Sequence, residues 1–348
     1  SYAYLIALRA MRKPILVVTA SSRAAEDLAK EIRECHVDTL EFPAWETLPH
    51  ERLSPSSDTV AKRISTLQSL QDKNRNWVVV APIRAVIHKF NAQIVDTEAI
   101  TVDRGLEFDL TKLQRDLVAF SYTRTDLVER RGEFAVRGGI LDIFPPDKSH
   151  PIRIDFFGDE IEELSYFSVA DQRTSESISK AVKILPCREL LIADAIRAKA
   201  LELSLDFENE LLNKIGNGLL PEGMESLIPL LVDKLQLISS SMPENFETVF
   251  IERERVVGRI SDLLATNEEF REAAWSNAAV GGKAPIEADS TYIDWDALIE
   301  NLPIYKDFRQ FGSDEDLFLE IDPIEPLRGN SERLISIFES AINEKRKV

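Results

Sequence analysis

Residues Arg131–Thr174 read RGEFAVRGGILDIFPPDKSHPIRIDFFGDEIEELSYFSVADQRT. A period of two runs through this stretch: Phe134 and Val136, then Ile140, Asp142 and Phe144, then Ile152, Ile154 and Phe156. Residues two apart share a face of a strand, so the pattern predicts strands with one buried and one exposed face. Gly158-Asp159 is a favoured two-residue hairpin turn, and Glu160–Phe167 returns from it. With a helix over Lys112–Phe120, residues 101–186 are predicted to form a small antiparallel α+β domain.

The flanks have a different texture. Pro14–Thr19 (PILVVT), Trp77–Ala81 (WVVVA) and Thr248–Ile251 (TVFI) are short continuous apolar runs, the signature of strands buried on both faces. Thr39–Phe42 and Leu317–Ile321 are further strand candidates. Helices are expected between them. One follows an N-cap at Ser21 or Ser22, one spans most of Leu53–Lys73 with Val60, Ile64 and Leu67 on one stripe, and one carries Val256, Ile260 and Leu263. Strands alternating with helices imply a parallel α/β layer. The fold class is therefore α/β. Residues 1–100 and 187–325 are expected to make one parallel domain, with the antiparallel domain inserted between its two parts. Gly216 and Gly218 break the helices after Arg188. A last helix capped by Asn330 or Ser331 reads as the start, over residues 326–348, of a further truncated domain.

The bulk composition narrows the function. The chain of 348 residues has 60 acidic and 42 basic residues and a net charge of −18. Duplex DNA would repel it as a whole, because non-specific DNA affinity comes from Lys and Arg neutralising phosphates. Cys35 and Cys187 form no CxxC pair, which argues against a zinc site or disulfide framework and suits a reducing cytoplasm. No secretory signal and no membrane-spanning apolar run is present.

Two stretches, Phe42–Arg63 (FPAWETLPHERLSPSSDTVAKR) and Arg131–Thr174, together resemble bacterial transcription-repair coupling factors, with weaker support from GGKAP at Gly281–Pro285. The second stretch alone is also similar to UvrB, the damage-verification helicase. The resemblance implies an N-terminal UvrB-like module: a degenerate helicase-like, P-loop-type α/β domain carrying an inserted UvrA-binding domain. It further implies that the full-length protein is an ATP-dependent DNA translocase using ATP and Mg, reaching RNA polymerase and duplex DNA through C-terminal domains absent here. One of those domains is expected to mask the UvrA surface until the motor engages. The alternative is a fragment of UvrB or another ATP-hydrolysing repair helicase.

No catalytic, cofactor or metal residue is expected in this chain. GxxxxGK[ST], whose backbone amides and Lys cradle phosphates, does not occur, and Gly281-Gly282-Lys283 lacks both the earlier glycine and a following hydroxyl. Aligned with UvrB, Ser1 falls at the hydroxyl of that loop. Phe42–Pro55 contains no Tyr, unlike the tyrosine-rich DNA hairpin of UvrB. His36, His50, His88 and His150 are scattered without HExxH spacing, and no GxSxG elbow exists. Trp45 and His50 read as loop-fixing residues.

The expected site is a partner surface. Arg153, Asp155 and Phe157 share the strand face opposite Ile152, Ile154 and Phe156, and Arg137 follows the Phe134/Val136 alternation on the outer face of its own strand. Arg and aromatic residues dominate interface energies. The resemblance implies that Arg137, Arg153 and Phe157 bind UvrA. Arg153→Ala and Phe157→Ala are expected to weaken that binding while leaving folding intact. The competing reading is a merely solvated strand face with Phe157 packed under a loop. Arg124, Arg130 and Arg131 either support binding or balance Glu129 and Glu133.

Overall fold

Ile15–Thr19 becomes strand β1 with every residue buried, as a continuous apolar run requires. The computed structural model describes residues 2–48, 53–207, 209–279 and 291–310, and four positions between 333 and 339. After β1, Ser21 caps the Ser22–Glu34 helix by accepting from the Ala24 N–H, and Ala25, Leu28, Ala29 and Ile32 form its buried stripe. β2 (Thr39–Glu41) follows. Ser56 caps the Ser57–Ser69 helix, which buries Val60, Ile64 and Leu67 and leads to the fully buried β3 (Val78–Pro82). This helix takes up most of the Leu53–Lys73 span, as expected. β4 (Phe90–Asn91) is a two-residue strand beyond it.

The inserted region opens with β5 (Ile100–Val102). The Leu110–Ala119 helix is capped by Asp109, whose carboxylate accepts from the Thr111 and Lys112 N–H groups. Six strands then build one sheet: β6 (Thr123–Arg124), β7 (Glu133–Arg137), β8 (Ile140–Ile143), β9 (Ile152–Phe157), β10 (Glu160–Phe167) and β11 (Thr174–Ser177). Neighbours from β7 to β11 are antiparallel, and only the short β6 pairs parallel to β7. Phe134, Leu141, Ile143, Ile152, Ile154, Ile161 and Leu164 face a core shared with Leu113 and Leu117 of the helix. β12 (Val182–Ile184) returns antiparallel to β5, so the region's entry and exit lie side by side.

The chain then runs through two helices, Asp194–Phe207 and Glu210–Gly216. They pack so closely that a Cβ on Gly216 would sit 2.5 Å from the Leu201 side chain. Gly218, at φ +80°, turns the chain out of the second helix. β13 (Leu235–Gln236) pairs with β4. β14 (Glu247–Ile251) then adds to β1, pairing Val249 with Val17 more than two hundred residues away. β15 (Tyr305–Phe308) extends the sheet to the order β15-β14-β1-β3-β2, all parallel. β14 and β15 thus share one sheet with β1, β2 and β3. Helices cover both faces of this sheet. Tyr2–Ala10 and Ser22–Glu34 pack on one side, and Ser57–Ser69 and Arg253–Ala279 on the other.

Tyr2–Arg309 form one compact unit. Buried charge ties its parts together. Arg63 and Glu189, both at 0% exposure, pair through two guanidinium nitrogens, and the Trp45 indole N–H donates to the same carboxylate at 3.0 Å. Arg63 also lies 4.1 Å over the Phe42 ring. Trp45 thus ties the loop after β2 to the Glu189 carboxylate. His50, Gly281–Pro285, Leu317–Ile321 and the Asn330/Ser331 cap lie outside the described residues.

Candidate docking surface

Cross-strand register sorts the outer face of the inserted sheet into rows, because directly opposed residues of antiparallel strands share a face. One row is Arg137, Ile140, Asp155 and Glu163. The next is Ala135, Asp142, Arg153, Ser165 and Ser177. Phe157 and Glu160 close the hairpin end. The φ of +65° at Gly158 supplies the turn between them, a conformation glycine adopts without strain.

Phe157 is 78% exposed, so it does not pack under a loop. Arg137 keeps half of its side chain in solvent. Both arginines bind one carboxylate and therefore lie on the same face. Arg137 Nη2 donates to Asp142 Oδ2 at 2.8 Å. Arg153 donates through Nε to Oδ1 at 2.8 Å and through Nη2 to Oδ2 at 2.9 Å. Asp142 itself is 1% exposed.

Arg153 departs from the expected exposed face. Its side chain is only 16% exposed. Its Nη1 donates to the Gln172 carbonyl at 3.2 Å and to Thr174 Oγ1 at 3.4 Å, and its guanidinium sits 4.9 Å over the Phe167 ring. The cause is a second small apolar cluster on this side of the sheet, formed by Val128, Ala135, Phe144 and Phe167, with Val169 packed against it. That cluster covers one end of the outer face. The other end, with Arg137, Asp155 and Phe157, remains open to varying degrees.

The charge environment follows. The hydrogen bonds to Asp142 raise the Arg153 pKa further above its ordinary value. Burial raises the Asp155 pKa, opposed by Arg153 and reinforced by Glu163, Asp142 and Glu162. Arg131 turns away from the sheet end: its Nε donates to the Lys148 carbonyl at 3.0 Å and lies 3.4 Å from Asp58 of the α/β body. Glu133 accepts the backbone N–H groups of Glu129 and Arg130, so it braces a turn.

Sequence reading named Arg137, Arg153 and Phe157 but not Asp142, the group that joins the two arginines. The available signal was Asp142 at an outer-face position, set within the same stretch as Arg137 and Arg153; the strand register was the missing step. Elsewhere, no group of three His, Cys, Asp or Glu able to hold a metal occurs among the described residues. Cys187 is buried, with its thiol pushed up to about 12 chiefly by burial. His88 is held well below its ordinary pKa by burial and by Arg63 and Arg84, and packs 4.4 Å from Trp45. No helix among the described residues is long and apolar enough to cross a membrane.

Comparison with known proteins places this geometry. The family described as the UvrB interaction domain matches residues 100–190, the region between β5 and the end of β12 with a few residues more. A transcription-repair-coupling factor of Mycobacterium tuberculosis is 39% identical over 302 residues, covering 80% of this chain and 24% of that protein. The Escherichia coli protein of the same name is 27% identical over 302 residues, covering 83% of this chain and 25% of its own length. UvrABC system protein B of Gloeothece citriformis is 28% identical over 221 residues, 59% of this chain and 33% of its length. The chain thus spans about a quarter of the coupling factors it matches. It is a UvrB-like module of the transcription-repair-coupling factor kind, with a UvrB interaction domain inserted in its parallel α/β body.

Proposed function

We propose that this module recruits UvrA in transcription-coupled nucleotide excision repair, docking through the open end of the inserted sheet. The observation that carries the reading is Phe157, 78% exposed at a hairpin tip within the matched domain, next to the row headed by Arg137. An exposed phenylalanine beside an arginine has the composition of an interface hot spot.

In this reading the α/β body is a degenerate helicase-like scaffold that binds no ATP or Mg. Those cofactors belong to the translocase motor of the full-length protein, which works on duplex DNA and RNA polymerase in the cytoplasm through other domains. One such domain masks the docking end until the motor engages. The strongly acidic balance of the chain supports leaving duplex DNA to other domains.

The test is titration of purified UvrA with the chain and with Arg137→Ala and Phe157→Ala, at two salt concentrations. Each substitution is expected to cost about 1–3 kcal/mol of binding, the hot-spot range. Binding of the parent chain is expected to weaken as salt rises, because Arg137 is exposed to screening. Unchanged affinity in both variants overturns the reading. ATP hydrolysis by the chain alone would favour the UvrB-type reading, which the UvrABC system protein B relatives keep in view.

A further inference from the structure

We infer that Asp142 is a positioning residue: this buried carboxylate, out of a partner's reach, sets the docking geometry by holding Arg137 and Arg153 together. The inference rests on the docking reading and deepens it by dividing the site into residues that touch UvrA and residues that act through them.

The division comes from how each guanidinium spends its donors. Arg153 gives two nitrogens to Asp142 in a bidentate fork, directs the third to Gln172 and Thr174, and covers Phe167 with its face. At 16% exposure it has little left for a partner. Arg137 commits one nitrogen to Asp142 and keeps half its side chain exposed. Each carboxylate oxygen of Asp142 accepts from Arg153, and Oδ2 also accepts from Arg137. Arg153 thus fixes the orientation of the carboxylate, and the carboxylate fixes Arg137.

Two cations on one buried anion leave one positive charge in excess within this triad, and Arg137 presents it beside Asp155 and Glu163 of its own row. An unanchored arginine would lose rotamer freedom on docking; one already held in place loses less. The neighbouring glycine turn keeps the approach clear. Gly138 lies at φ +61°, and a Cβ on Gly139 would meet the Phe156 carbonyl oxygen at 3.0 Å. The turn from β7 to β8 therefore lies against the base of the Phe157 hairpin, where Gly139 has no side chain to hold it off.

The test is a double-mutant cycle read by UvrA affinity, with folding of each variant checked by thermal melting. Asp142→Asn alone is expected to weaken binding on the order of tenfold. On an Arg137→Ala background the same substitution is expected to add less than about twofold, because its effect passes through Arg137. On a Phe157→Ala background it is expected to keep its full effect, because Phe157 has no bond to Asp142. Folded Asp142→Asn with parental affinity overturns the inference, and so does an equal loss on the Arg137→Ala background. If Asp142→Asn does not fold, Arg153→Lys takes its place: it keeps the charge but not the fork, and the same pattern of coupling is required. Parental binding by both Arg137→Ala and Phe157→Ala brings down the docking reading itself, a result distinct from failure of the cycle.

Discussion

Glu189 and Asp142 are both carboxylates closed off from water, at 0% and 1% exposure, and both are held by arginine. Their partners differ. Arg63 is as buried as Glu189, and the Trp45 N–H adds a third donor, so every charge of that group is used inside the body. Asp142 has one partner mostly inside, Arg153, and one half outside, Arg137. The same chemistry closes a junction in one place and presents a cation in the other. Burial of the second arginine decides which.

The largest expected effect tests the closed pair. Arg63→Ala leaves Glu189 charged, buried and held only by the Trp45 N–H. Breaking such a pair from one side costs about 3–5 kcal/mol. Urea denaturation of Arg63→Ala is expected to show that loss. The double variant Arg63→Met/Glu189→Met is expected to recover much of it, since no charge is then stranded. A loss below about 1 kcal/mol in Arg63→Ala would mean that water reaches Glu189 readily.

Arg153→Ala comes next, and the bonds of Arg153 to Asp142 predict a loss of stability for it. It removes the fork from a carboxylate at 1% exposure and leaves only Arg137 there. The cost is about 2 kcal/mol, the range for orphaning a buried charged acceptor. It is smaller than for Arg63→Ala because Arg137 already reaches the site from solvent. Phe157→Ala, at the same sheet end, is expected to stay within about 0.5 kcal/mol of the parent in the same assay, as for surface positions generally. A Phe157→Ala variant as unstable as Arg153→Ala would erase the distinction between anchor and contact.

These contrasts also show where sequence reading succeeds. The parallel strands were legible in ILVVT and WVVVA because a strand covered on both faces must be apolar throughout. The inserted sheet and its turn were legible in a period of two and in Gly158-Asp159. β15 was not: Tyr305–Phe308 reads YKDF, an edge strand with partly exposed residues, and its composition resembles a loop. The burial of Arg153 was hidden because Phe167, Gln172 and Thr174, which enclose it, come from later segments brought to it by register. Arg63 and Glu189 lie 126 positions apart, beyond any local pattern.

The smallest effect concerns Asp155, which shares a row with Arg137 and Glu163 but accepts no hydrogen bond in the cluster of Asp142. Burial, with Glu163, Asp142 and Glu162 nearby, raises its folded-state pKa against the opposing pull of Arg153. A raised carboxylate pKa means that the charged form is disfavoured on folding. The penalty is absent below the ordinary aspartate range, grows as pH rises from there to the folded-state value, and is complete above it. Asp155→Asn is therefore expected to stabilise the chain at neutral pH and to lose that gain on acidification. Partial exposure and solvent screening limit it to a few tenths of a kcal/mol. Denaturation curves at neutral and acidic pH give the answer. A gain that persists unchanged in acid would assign it to packing rather than charge, and would place Asp155 with the closed group around Glu189 instead of the open one around Asp142.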